Sequence, residues 1–164
     1  MQPNRVRKPT LADAPGIHRL IQHYAERQFL LARTIGQVCE NLRDFFVWEE
    51  EGEVVGCGAL HLWSDLAEVR SLAVAERWWR RGIGTAIVLA CLDEARQLGV
   101  RTVFALTYQP EFFERLGFRR VSKDRFPQKI WQDCAQCPHF PNCTETALIY
   151  EFGEAAPREG TTGT

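Results

Sequence analysis

Residues Ala67 to Leu98 read AEVRSLAVAERWWRRGIGTAIVLACLDEARQL, and this stretch decides the fold. Ala67 to Val74 has the composition of a strand, and Gly82 to Leu98 that of a long helix with Ile83, Ile87, Cys91 and Leu98 on its buried face. Gly99 stands where a left-handed C-cap residue belongs. Two glycines, Gly82 and Gly84, open the helix and let the backbone approach a ligand closely. The unpaired N–H groups of a first helical turn favour an anion, and Arg80 and Arg81 add positive charge beside them. The arrangement is that of a pyrophosphate cradle. It lacks the Gly-Lys-Ser/Thr of a nucleoside-triphosphate loop and the third glycine of a dinucleotide fingerprint. The competing reading is that both glycines serve tight helix packing alone.

Outward from this stretch, the elements alternate in type. Arg5 to Lys8 is an edge-strand candidate, and Thr10-Leu11-Ala12-Asp13 has the form of a capping box. Ile17, Leu20, Ile21 and Tyr24 follow at helical spacing, and a second helix is predicted after Thr34 with Ile35, Val38 and Leu42 on one side. Phe45 to Trp48 and Val54 to Trp63 form a hairpin about Glu51-Gly52, and Ser64-Asp65 turns the chain into the strand from Leu66 to Val74. Beyond the long helix come a strand at Thr102 to Leu106, a short helix at Glu111 to Leu116, and strands at Arg119 to Val121 and Ala147 to Phe152. The order predicts a mixed α/β sheet with no internal repeat and no linker separating two domains.

The chain has 164 residues, within the range that one core serves. Its net charge of -1 supplies no global field for nucleic acid or an anionic membrane. No apolar run approaches the roughly 20 residues that span a bilayer, and the basic N-terminus lacks an apolar signal core. The six cysteines therefore read as thiols in a reducing, cytoplasmic setting. Residues 1–153 are expected to form a single domain with a Cys-rich loop at 133–145, and 154–164 a flexible tail.

The sequence resembles the GNAT N-acetyltransferase superfamily. Its pyrophosphate motif, Gln/Arg-x-x-Gly-x-Gly/Ala, matches the segment through Gly82 and Gly84, and Phe112-Phe113-Glu114-Arg115-Leu116-Gly117-Phe118 is similar to its Phe-Tyr-Glu-Lys-Leu-Gly-Phe. The likeness covers most of Thr10 to Val121. Two positions depart from it: Trp79 replaces the Gln/Arg, and Phe113 the common tyrosine acid. The resemblance implies a mostly antiparallel central sheet with helices on both faces and acetyl-coenzyme A as co-substrate. Backbone groups of Leu72, Ala73 and Val74 would pair with the pantetheine arm, and amides of Arg80, Arg81, Gly82, Ile83, Gly84 and Thr85 would hold the pyrophosphate. A splay between the strands at Leu72 and Leu106 would admit the thioester.

Acetyl transfer needs a base to free the amine lone pair, and Glu68, directly or through water, is the candidate. The alternative is an exposed strand carboxylate paired with Arg70. Thr107 or Tyr108 is a candidate hydroxyl, and a strand amide near Leu72 an oxyanion donor. Phe29-Leu30-Leu31-Ala32-Arg33-Thr34, Asp44-Phe45-Phe46-Val47, the strand from Ala67 to Val74, and Ala105-Leu106-Thr107 are similar to the acetyltransferase domain of N-acetylglutamate synthases. That family makes N-acetylglutamate, the first intermediate of arginine synthesis. A dicarboxylate acceptor needs cations, and Arg33, Arg70 and Lys129 are the candidates. Solvated surface charge is the alternative for each.

Cys134, Cys137 and Cys143 have metal-like spacing around His139, which makes them candidate ligands of a structural zinc. Reduced thiols in a proline-rich loop are the alternative. Cys39, Cys57 and Cys91 read as small core residues; His18, His23 and His61 stand alone. The expected partner is a small-molecule amine, L-glutamate first, with neither nucleic acid nor membrane; a homodimer is the assembly considered, and the sequence does not fix the oligomeric state. The competing functions are acetylation of another small amine or protein N-terminus, or non-catalytic acyl-coenzyme A sensing.

Overall fold

The structure, a computed structural model, describes residues 5–126 and 145–153. The aromatic run β2, Phe45–Glu50, turns into β3, Glu53–Trp63, through Glu51 and Gly52, whose φ values of 54° and 78° suit a two-residue hairpin turn. A second tight turn at Ser64 and Asp65 leads into β4, Leu66–Val74, with Trp63 directly opposite Leu66. With β1 (Val6–Arg7), β5 (Thr102–Thr107), β6 (Arg119–Val121) and β7 (Thr146–Glu151) these make one sheet in the order β1-β2-β3-β4-β5-β7-β6. All neighbours are antiparallel except β4 and β5. This is the mixed, mostly antiparallel sheet that the sequence predicted.

The helices are α1 (Ala14–Ala25), α2 (Ile35–Glu40), α3 (Ile83–Gln97) and α4 (Pro110–Arg115). They cover both faces, and the alternation of β2 shows how. Phe46 and Trp48 enter the core under α3, whereas Phe45 and Val47 enter the core under α1. Removing these apolar faces from water drives the docking, at ~25 cal/mol per Å². Close approach of α3 depends on Gly58: a Cβ there would lie 2.7 Å from Ile87 Cγ2 and 3.1 Å from Leu72 Cδ1.

Beneath α3 the strand β4 carries a bulge. Cys57 pairs with Ala73 and Ala59 with Arg70, so Ser71 and Leu72 together face the single Gly58. Ser71 takes a left-handed φ of 56°. The extra residue inverts the alternation, so Val69 and Val74 both pack on the α3 side while Ala73 turns toward α1.

Three expectations for buried residues fail. Leu98 is 55% exposed because α3 stops at Gln97 and Gly99, at φ 85°, turns the chain away; the buried stripe ends at Ala95. Ile35 is exposed because α2 has fewer than two turns and brings only Val38 into the core. Cys39 lies on the open side of that helix and is exposed, while Cys57 and Cys91 are buried as predicted.

Candidate active site

The pairing of β4 with β5 runs from Leu66↔Thr102 to Glu68↔Phe104 and stops. Past that point β4 follows its bulge and the two strands part. The opening is a cavity of about 580 Å³, walled by Arg70 to Val74 on one side and Leu106 to Tyr108 on the other. Its volume suits a small-molecule or cofactor site. The start of α3 closes one end, and Phe29 and Leu30 of the α1–α2 connection overhang it. The predicted splay between Leu72 and Leu106 is thus present, and its cause is the bulge, which the sequence reading did not contain.

At the α3 end, Gly82 caps the helix at φ 82°, a conformation that a side chain would strain. Ala86 N–H is the first to reach back, donating to Gly82 C=O, so the amides of Ile83, Gly84 and Thr85 have no acceptor inside the helix. All three residues and Arg80 line the cavity. Arg80 also has a left-handed φ of 67°. Arg81 points elsewhere: its guanidinium lies 4.8 Å above the Trp78 ring, which itself lines the cavity. Three amides without an intrahelical acceptor therefore stand at this end of the cavity with one arginine beside them, an arrangement that suits an anion, while the other arginine braces the wall.

On the β4 wall, Ala75 N–H donates to Val55 C=O toward β3. Antiparallel alternation then turns the backbone of Val74 to the opposite, open edge. Its carbonyl accepts hydrogen bonds from Tyr24 Oη–H (2.5 Å) and Trp79 Nε1–H (2.7 Å). Partial burial pushes the Tyr24 phenol above its usual range, so it stays a neutral donor. These two contacts were not foreseen, because both depend on α1 and the β4–α3 loop meeting at one carbonyl.

The remaining predicted residues separate by position. Thr107 ends β5 on the cavity wall, and its Oγ1 accepts from Gln109 N–H at 2.8 Å. Arg70 lines the cavity, whereas Arg33, in the α1–α2 connection, does not. Glu68 sits just behind the wall, with Trp63 Nε1–H donating to Oε1 at 3.0 Å and Arg70 Nη1 3.9 Å from the same oxygen. The ion pair named as the alternative for Glu68 therefore exists. His61 is not alone: its Nδ1 lies 2.9 Å from Asp44 Oδ2. His23 likewise has company, 2.9 Å from Arg27 Nη1, which also binds Glu76.

Phe113, at the position of the family's tyrosine acid, is buried against Phe112 and Phe118 and offers no proton donor. Cys57 and Cys91 offer no nucleophile, since burial pushes both thiols up to about 12. Lys129, Cys134, Cys137 and Cys143 lie outside the described residues. Among the described residues no group of three or more His, Cys, Asp or Glu side chains is placed to hold a metal, and no helix is long and apolar enough to cross a membrane.

Comparison with known proteins fits this geometry. Residues 14–118 match the model of the acetyltransferase (GNAT) family. An uncharacterized N-acetyltransferase of Chlorobaculum tepidum is 41% identical over 145 residues, spanning 88% of this chain and 94% of that protein. An amino-acid acetyltransferase of Mycobacterium tuberculosis is 43% identical over 120 residues, 71% of this chain and 68% of that one. N-acetylglutamate synthase from Neisseria gonorrhoeae, crystallised with coenzyme A and N-acetyl-glutamate, superposes with a TM-score of 0.81 at 26% identity. That match covers 90% of this chain but 35% of the longer one.

Proposed function

The chain belongs to the acetyltransferase (GNAT) family and uses acetyl-coenzyme A as an N-acetyltransferase, and on that premise we propose that its acceptor is the α-amine of a small amino acid, L-glutamate first. The observation that carries this reading is Arg70 on the cavity wall, immediately before the Ser71–Leu72 bulge. An acceptor carboxylate held by that guanidinium brings its amine toward the gap between β4 and β5. Arg33 is the second candidate cation, on the connection whose Phe29 and Leu30 overhang the cavity. Lys129 is the third. The relatives named as amino-acid acetyltransferases support the same choice. The product would be N-acetylglutamate, and the protein would then act in cytoplasmic arginine synthesis.

In the transfer we propose, Glu68 takes a proton from the acceptor ammonium through a water molecule. The freed nitrogen attacks the thioester carbonyl carbon, and a backbone N–H at the Leu72 bulge stabilises the oxyanion. Collapse breaks the C–S bond and returns the electron pair to sulfur, and the extra proton still on the acylated nitrogen passes to the leaving thiolate. Thr107 donates its O–H toward that sulfur, since its Oγ1 already accepts from Gln109. A thiol of ordinary pKa near 8.5 is a fair leaving group, so the missing tyrosine at Phe113 costs little.

The test follows thiol release from acetyl-coenzyme A with each amino acid, other small amines and an N-terminal peptide as acceptors. Release that is fastest with glutamate supports the assignment. A better rate with another acceptor replaces glutamate, and coenzyme binding without any acceptor-dependent release would overturn the reading altogether. Metal analysis of protein purified without chelator tests the zinc proposed at Cys134, Cys137 and Cys143: less than about half an equivalent argues against it.

A further inference from the structure

We infer that Trp63 is a positioning residue for acetyl transfer, holding the Glu68 carboxylate and the Arg70 guanidinium in one fixed arrangement behind the bulge. The inference rests on the reading of Glu68 as the base.

The hairpin between β3 and β4 sets the geometry. Ala59, His61 and Trp63 stand opposite Arg70, Glu68 and Leu66, so all six side chains share one face of the sheet. Trp63 is thus the diagonal neighbour of Glu68, within reach for a large side chain. Its indole N–H donates to Glu68 Oε1 at 3.0 Å, and its ring lies beneath Arg70, with the guanidinium carbon 5.9 Å from the ring centroid. The ring is fixed in turn by an edge contact with His61 at 4.9 Å and by packing on the buried cluster of Phe104 and Phe126. The Glu68 and Arg70 side chains are each 12% exposed, so a lost contact is not readily replaced by water.

The chemistry of the donor matters more than its strength. An indole N–H is a donor only and does not ionise near neutral pH, so it orients the carboxylate without competing for the proton that a base must take up. Arg70 on β4 and His61 on β3, the latter held by Asp44, face Glu68 from the described elements. Trp63→Phe keeps an aromatic ring beside His61 and Arg70 and removes the donor.

Steady-state kinetics of the full chain across pH, with the best acceptor from the amine panel, test this. Trp63→Phe is expected to lower kcat about tenfold, leave the acetyl-coenzyme A KM unchanged, and move the acidic limb of the kcat profile upward by about one pH unit. A side chain that merely packs would leave that limb in place. If Glu68→Gln abolishes transfer while Trp63→Phe leaves the limb unmoved, the positioning role is wrong and the base stands. If Glu68→Gln keeps near-normal kcat, the base reading fails and this inference with it. A measurement on the unaltered chain guards against a variant that fails to fold. One of the five tryptophan indole N–H resonances should titrate with the pH of the kinetic limb and lose that titration in Glu68→Gln; no such resonance would overturn the inference.

Discussion

Replacing Trp79 by phenylalanine should tighten coenzyme A binding, which is the reverse of what loss of a site residue usually does. The indole N–H of Trp79 donates to Val74 C=O at 2.7 Å, and Tyr24 donates to the same oxygen. A carbonyl has two lone pairs, so both are in use. Val74 faces the open edge of β4, where a pantetheine arm lying as an added strand would need that acceptor. One donor must let go first, and the exposed Trp79, at 51%, is the freer of the two. A net hydrogen bond contributes about 0.5–1.5 kcal/mol to what must be broken, which converts to a roughly 2- to 10-fold lower Kd for coenzyme A in Trp79→Phe. Phenylalanine keeps a ring at the site, so any stacking against the ligand is largely retained. Isothermal titration of the free protein with coenzyme A reads the effect directly. Binding that is unchanged or weaker in Trp79→Phe would refute the idea that this indole occupies the coenzyme's acceptor.

Gly58→Ala should destabilise by about 1–3 kcal/mol, since its Cβ would meet Ile87 and Leu72 within 3.1 Å. Thermal unfolding should record a loss of roughly 2–10 °C, and because Leu72 lines the cavity the acetyl-coenzyme A KM should rise as well. Arg70→Ala should raise the acceptor KM on the order of tenfold or more, as a charge-assisted contact is lost, while Arg33→Ala should do less. Equal effects would show that the α1–α2 connection closes over the acceptor. Asp13 is held below the usual carboxylate range, first by its hydrogen bonds from Arg7 at 2.9 and 3.0 Å. A depressed folded-state value gives stability that is complete above the unfolded pKa of about 3.9 and is lost as pH falls through the folded one. The Tm advantage of the natural chain over Asp13→Asn should therefore be flat from pH 7 to 5 and shrink below about pH 4. A gap that persists at pH 2 would mean that Asp13 acts through packing.

The amino-acid sequence by itself determined the identity and order of the elements, because those follow from local rules. The two-residue and 3.6-residue periods separated strand from helix, the Glu51-Gly52 turn joined β2 to β3, and Gly82 and Gly99 marked the ends of α3 through backbone freedom that a neighbour does not alter. The backbone geometry at the start of α3 was legible for the same reason: it is set by consecutive residues. Exposure at the margins was not: Leu98 continues a period past the end of α3, and Ile35 and Cys39 lie on a helix of fewer than two turns that brings only Val38 into the core. Only the tertiary structure decided that the strand from Leu66 to Val74 contains a bulge, that β4 parts from β5 after Glu68, and that Arg70 rather than Arg33 lines the cavity. Register sets these, and register is a pairing between distant segments that no single window contains. The opening stretch thus specifies the glycine-bearing turn into α3, while the fold around it decides which side chains line the cavity.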